Sequence, residues 1–214
     1  MKKSIFPNVL TVIITIVFLT SCNYSKKTQS KEDTVKEKEV ITKEADVKPV
    51  VQIQPLNIEN SFIPCGWMGD GELGKKHIGF EPKCTENPHS GKTCIKITYK
   101  TGAKGWAGIY WLNSDCNWGD EIGFNLSTKG FSKISFWGRG AQGGETAQFK
   151  AGGVKDKKYK DSFDYEPKLD VEFTNEWKEY TIDLTGKDLS NVIGGFCWVS
   201  NTDVTIFLDD LKYE

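Results

Sequence analysis

From Ser61 to the last residue the chain is built of short runs of β-branched and aromatic residues separated by clusters of Gly, Asn, Asp and Ser, and no stretch keeps a helical period. That spacing is the signature of an all-β sandwich or barrel. The runs are Thr93 to Lys100, Gly105 to Leu112, Lys133 to Arg139, Thr146 to Ala151, Leu169 to Phe173, Glu176 to Leu184, Gly195 to Ser200 and Val204 to Tyr213. With an N-terminal strand near Ser61 they make about nine. Successive strand side chains point to opposite sides. Ile95, Ile97 and Tyr99 therefore share a face, as do Ile134 and Phe136, Ala147 and Phe149, and Tyr180, Ile182 and Leu184. These predict the core of a two-sheet antiparallel β-sandwich. A domain of about 155 residues, 61–214, hides roughly 68 to 70% of its unfolded surface, enough for such a core.

The segment before Ser61 has a different character. Met1-Lys2-Lys3 precedes eleven mostly apolar residues, Val9 to Leu19, and then Leu19-Thr20-Ser21-Cys22. This is signal-peptide layout over 1–21, and the last four residues resemble the lipobox of bacterial lipoproteins, which implies a diacylated Cys22 and an exported protein anchored by lipid to the cell envelope, at the outer membrane or cell surface. The alternative is an ordinary signal with Cys22 as its next residue. Residues 26 to 48 carry seven Lys against six acids, and 23 to 60 contain no Gly, Trp or Phe. A segment so charged and so poor in aromatics does not bury enough apolar surface to offset its ordering entropy, so 22–60 reads as a lipidated Cys and a charged flexible linker. A charged helix is the other reading of it.

Charge then narrows the partners. From residue 61 onward 19 Lys and Arg stand against 22 Asp and Glu, which argues against nucleic acid. His77 and His89 are the only histidines in the chain, so histidine-rich metal sites are excluded. Five cysteines remain beyond Cys22, and five do not all pair. Cys84 and Cys94 bracket a turn-rich loop (Asn87-Pro88, Ser90-Gly91) and are expected to bridge. Cys65 and Cys116, in Gly-rich loops beside Trp67 and Trp118, form the second expected bridge. Cys197 reads as a buried free thiol.

On the Lys133 and Thr146 strands the faces turned from the core carry Ser135, Trp137 and Arg139, and Thr146, Gln148 and Lys150. A large aromatic thus sits among hydrogen-bonding groups. If Cys197 and Val199 point inward, Phe196 and Trp198 join this second face. The Gly-Trp pairs (Gly66-Trp67, Gly105-Trp106), the NPHSGKTCIKITY entry into a strand, EWKEYTIDL before GGFCWV, and closure on Phe207-Leu208-Asp209-Asp210-Leu211 resemble the galactose-binding-like jelly rolls that serve as non-catalytic carbohydrate-binding modules. The resemblance covers about 150 residues and implies a jelly roll that captures a polysaccharide or oligosaccharide, acting as a monomer. Sugars present apolar C–H faces ringed by hydroxyls, so the expected platform is Trp67, Trp118 and Trp137, with Arg139, Gln148, Lys150, Asn117 and Asp120 as polar partners. Trp177 and one of Trp106 or Trp111 are assigned to the core. Related jelly rolls often hold a structural calcium near the last strand, which implies Asp209, Asp210 and Glu59 as its oxygen ligands.

Two other classes stay open. Asp70, Glu72, Asp120 and Glu121 lie in Gly-rich loops and could serve a glycoside hydrolase, although nothing in the sequence selects a pair. An exposed aromatic face would equally suit a protein-interaction or structural envelope lipoprotein.

Overall fold

The computed structural model of the protein describes residues 52–214, apart from 74, 75 and 166. The expected signal segment, Cys22 and the linker as far as residue 51 lie outside the described residues. Two antiparallel sheets face each other. The first runs β3 (Ile78–Cys84), β4 (Cys94–Tyr99), β11 (Val204–Tyr213), β6 (Lys133–Gly140) and β9 (Lys178–Asp183), with the short β1 (Leu56–Asn57) also on β11. The second runs β2 (Ile63–Gly69), β5 (Ala107–Leu112), β10 (Gly194–Ser200), β7 (Thr146–Lys150) and β8 (Lys168–Glu172). One four-residue helix, α1 (Ile58–Ser61), and a 3-10 turn (Asp70–Leu73) complete the elements among the described residues.

The predicted inward faces meet between the sheets. Phe136 of the first sheet lies 4.6 Å from Phe149 and 5.4 Å from Phe196 of the second, ring centre to ring centre, and Tyr99 stands edge-on to Trp198. Ile97, Ile134, Ile206, Ile109 and Trp111 fill the same core. One face is the reverse of the conditional expectation: Phe196 and Trp198 point inward, and Cys197 and Val199 point out. The register decides it, because Trp198 is paired with Ile109 on one side and Phe149 on the other, both core residues.

Two boundaries also differ from expectation. The fold begins ahead of Ser61: Leu56 and Asn57 pair with Tyr213 and Lys212, Asn57 caps α1 by accepting the Asn60 N–H at 2.9 Å, and Ile58 is fully buried. Strand β3 was not expected, because Gly79, Pro82 and Lys83 break its alternation. Pro82 is tolerated there because β3 is an edge strand and carries a bulge between Glu81 and Cys84.

Candidate functional site

On the outer face of the second sheet the register lines up two transverse rows of side chains. One row is Met68, Gly108, Val199, Gln148 and Asp170, each paired with the next across five strands. Glycine at its second position leaves room for the Met68 methyl, which a Cβ on Gly108 would meet at 2.7 Å and displace. Met68 and Val199 thus meet over bare backbone and form an apolar floor. The second row is Gly66, Tyr110, Cys197, Lys150 and Lys168. It is largely roofed, and the roof forms the wall of the first row.

Two segments build that wall. The loop after β5 carries Trp118, whose ring rests on Gly66 and stands edge-on to Tyr110 at 5.5 Å. A Cys65–Cys116 disulfide ties this loop to β2, as expected. Asn117 organises the loop from within: its Oδ1 accepts the N–H groups of Gly119, Asp120 and Glu121, and its Nδ2 donates to Asn113 Oδ1 and the Glu121 carbonyl. The second segment, 151–163, is pinned by Asp161. This buried carboxylate accepts N–H groups from Val154 (2.8 Å), Ile193 and Gly194. Burial pushes its pKa up, and the three N–H groups pull it back only in part. Tyr110 closes the contact by donating its hydroxyl to the Gly152 carbonyl at 2.9 Å.

Between these walls and β2 lies a cleft of 510 Å³ lined by Trp67, Met68, Glu72, Trp118, Asp120, Val154, Lys155 and Lys157. A second depression, at the other end of the open row, is lined by Thr146, Gln148, Asp170, Glu172, Val199 and Asn201. The structure therefore gathers Trp67, Trp118 and Asp120 in one place and sets Gln148 at the far end of the same floor, where its Nε2 donates to Asp170 at 2.8 Å. Lys150 lies in the adjacent row.

No protein-family model matches the chain, and no curated protein does. Solved structures do. The fold is similar to that of a family 30 carbohydrate-binding module, with a TM-score of 0.50 at 19% identity over 76% of this chain and 88% of that one. Other similar structures are the family 30 module of the cellulosomal cellulase Cel9D-Cel44B of Clostridium thermocellum (TM-score 0.49, 16% identical, 72% and 91% covered) and a family 11 module from the same organism in complex with a β-1,3-1,4-mixed-linked tetrasaccharide (0.48, 13%, 75% and 94%). The first establishes the fold. This is a jelly roll of the kind found in carbohydrate-binding modules.

Several expected site residues have other roles. Trp67 turns toward the core and packs edge-on against Phe80 at 5.9 Å, so it offers the cleft a rim instead of a free ring. Asn117 is buried, with its amide spent on the loop. Trp137 and Arg139 belong to the first sheet, on the far side of the sandwich, because β6 pairs with β11 and β9. The 85–93 loop covers them there. His89 stacks on Trp137 at 3.7 Å, and Arg139 lies over Phe207 at 3.7 Å while donating to the Glu86 carbonyl. Trp177 joins this outer cluster instead of the inter-sheet core, with its Nε1 donating to the Asn87 carbonyl. Cys84 and Cys94 face each other across β3 and β4 but are free buried thiols, so the expected bridge is absent; the Cys94 sulfur points to the Cys84 carbonyl, and burial pushes its pKa up to about 12.

Asp209 and Asp210 anchor that loop. Asp209 accepts the N–H of Ser90, and Asp210 binds His89 Nδ1 at 2.9 Å and the Ser90 hydroxyl at 2.8 Å. Glu59 of α1 faces both: burial first, and then these two carboxylates, push its pKa up to about 7. Of the four acids nominated for catalysis, Asp120 lines the cleft and the other three hold bonds within the domain. Asp70 is buried, and although burial opposes its charge, the Tyr99 hydroxyl and the N–H groups of Lys104 and Gly102 hold its pKa down. Glu72 pairs with Lys104, and Glu121 accepts the Ser114 hydroxyl.

Sequence reasoning missed Met68, Val199, Asp170, Lys155, Lys157 and Tyr165. The first three follow from strand register alone. The last three lie in a run without strand alternation that gave no sign of which face it would cover.

Proposed function

We propose that this domain captures carbohydrate without cutting it, on the outer face of the second sheet. The observation that carries the reading is the row Met68–Gly108–Val199–Gln148–Asp170 walled by Trp118: an apolar floor, an aromatic wall and fixed hydrogen-bonding groups in line. A sugar chain needs apolar contact for its C–H faces and planar polar groups for its hydroxyls, and an open groove accepts it at any point along its length. The likeness of fold to carbohydrate-binding modules supports the same reading. Non-catalytic capture is the reading taken because Asp70 is buried and bound within the domain, Glu121 accepts the Ser114 hydroxyl, and of the two acids at the cleft Glu72 is paired with Lys104, which leaves Asp120 alone. The full chain, purified in detergent, is screened on affinity gels and an oligosaccharide array. Retention by a defined glycan, lost on Trp118→Ala, supports the proposal, and absence of retention by a folded protein across plant, algal and bacterial glycans overturns it.

The domain is carried, in this reading, by a lipid on Cys22 at the end of the charged stalk, as a monomer. Two or three acyl chains at about 0.8 kcal/mol per buried methylene hold a protein on a membrane durably. Metabolic labelling with a fatty acid tests it: Cys22→Ala should abolish both the label and membrane fractionation. A structural calcium belongs at Glu59, Asp209 and Asp210. Calcium prefers such carboxylate oxygens, and a cation there would offset the burial and the two neighbouring carboxylates that push Glu59 up to about 7.

A further inference from the structure

The segment that walls the groove, with the strand residues that flank it, is the most lysine-rich part of the domain. Six of the 19 basic residues between 61 and 214 fall within 150–168 (Lys150, Lys155, Lys157, Lys158, Lys160 and Lys168), with only four of the 22 acids. Among the described residues none of the six makes an ion pair, whereas Lys96, Lys100, Lys104, Lys133 and Lys212 all do. A charge run of this kind is usually a solvated loop, but here it is held down. The Tyr159 N–H donates to the Gly119 carbonyl, Asp161 N–H to Val154 and Ser162 N–H to Asn191, besides the bonds to the Asp161 carboxylate. The lysines are therefore presented at fixed places. Lys155 and Lys157 line the cleft opposite Trp118, and the Lys157 stem packs on Gly119, where a Cβ would lie 2.6 Å from it. Beyond them the Tyr165 ring is exposed and has the ammonium groups of Lys150 and Lys155 each 5.5 Å from its centre.

We propose that the ligand of this face is an anionic polysaccharide, one whose sugars carry carboxylate or sulfate groups, lying along Trp118, Lys157, Lys155 and Tyr165. The inference rests on the carbohydrate reading of the same site and specifies its substrate class. Aromatic rings at both ends of the path take sugar faces, and the ammonium groups between them take the acids. A single exposed ion pair contributes only about 0–1 kcal/mol, so selection of a charged chain needs several cations in a fixed array, as this segment provides. The other end of the floor carries Asp170 and Glu172, which repel an anion and so direct the chain toward the lysine side. Glu72 in the cleft is matched by Lys104. Asp120 stands on its rim and keeps the acid groups turned toward Lys155 and Lys157.

The test uses matched pairs on the full chain: polygalacturonate against its methyl ester, and dextran sulfate against dextran, with a neutral mixed-linked β-glucan, poly-L-glutamate and anionic lipid vesicles as further arms. The expected result is binding to the charged member of at least one pair and not to its neutral twin. Which pair responds separates carboxylate from sulfate. Affinity should fall at least tenfold between roughly 50 and 500 mM NaCl, as screening shortens the reach of each lysine. Lys155→Gln with Lys157→Gln should weaken binding by about tenfold at unchanged melting temperature, both residues being exposed, and Tyr165→Ala should weaken it as well. Equal binding of the neutral twins or of the β-glucan overturns the charge proposal and leaves carbohydrate capture standing. Binding to poly-L-glutamate or vesicles as tight as to the glycan, and unmoved by Tyr165→Ala, overturns it in favour of a surface that reads charge alone. Failure to bind any glycan overturns both readings.

Discussion

Each outer face of the sandwich sets a tryptophan beside polar groups, and the two end in opposite states. The first sheet presents Trp137 and Arg139 with acids alongside, and the 85–93 loop lies over them, His89 stacked on Trp137 and Ser90 bound to Asp209. The second sheet presents Met68, Val199 and Gln148, and its covering segment stops one row short, leaving the groove beside Trp118. An aromatic among polar groups is thus no sign of a binding platform by itself. Whether a neighbouring loop has already taken the place of the ligand decides the matter.

The largest effect that would separate the faces concerns their cysteines. Replacing Cys65 and Cys116 by alanine removes a bridge that closes a 51-residue separation, which should cost about 4 kcal/mol in chemical denaturation and loosen the Trp118 wall. Cys84→Ala, with no bridge to lose, should cost under about 2 kcal/mol and leave binding unchanged. Next comes Asp161→Ala, which leaves three buried N–H groups without an acceptor; a loss of about 3 kcal/mol, with disappearance of glycan binding, is expected in the same denaturation and retention assays. If Asp161→Ala still binds, the 151–163 wall is not part of the site.

Smaller changes sharpen the contrast. Trp118→Ala should weaken binding by about tenfold, a loss of roughly 1.4 kcal/mol, while Trp137→Ala should leave binding untouched and lower stability by about 1–2 kcal/mol through loss of the His89 stack. The reverse result would move the site to the first sheet. The smallest effect is a pH dependence. Glu59 has a folded pKa of about 7, above its ordinary 4.5, so folding favours its protonated form: the stability this residue contributes is fully present below about 4.5 and is lost as pH rises toward 7. Glu59→Gln should flatten that decline in melting temperature, and calcium should offset it in the parent protein but not in the variant.

Much of this could be read in advance, and each reading has a local cause. Ile95-Lys96-Ile97-Thr98-Tyr99 and Tyr180-Thr181-Ile182 alternate because one side of each strand is buried, so strands, core and sheet class followed from period alone. The expected Cys65–Cys116 bridge is present, and Trp118 and Asp120 line one cleft. What failed depended on pairs distant in sequence. Trp137 and Gln148 are eleven residues apart and were assigned to one face, yet β6 enters the first sheet and β7 the second. A period of two says that two sides exist and not which sheet each side belongs to.

The sequence by itself therefore determined most of the strand pattern and the core, since these depend on composition and on spacing within a few residues. The tertiary structure alone decided which outer face is open. That choice rests on the β10 register that turns Val199 outward, on Gly108 leaving room for Met68, and on Asp161 holding the 151–163 segment with its four lysines beside Trp118. Each is a contact between segments that local preference does not bring together, and only the packing of the two sheets does.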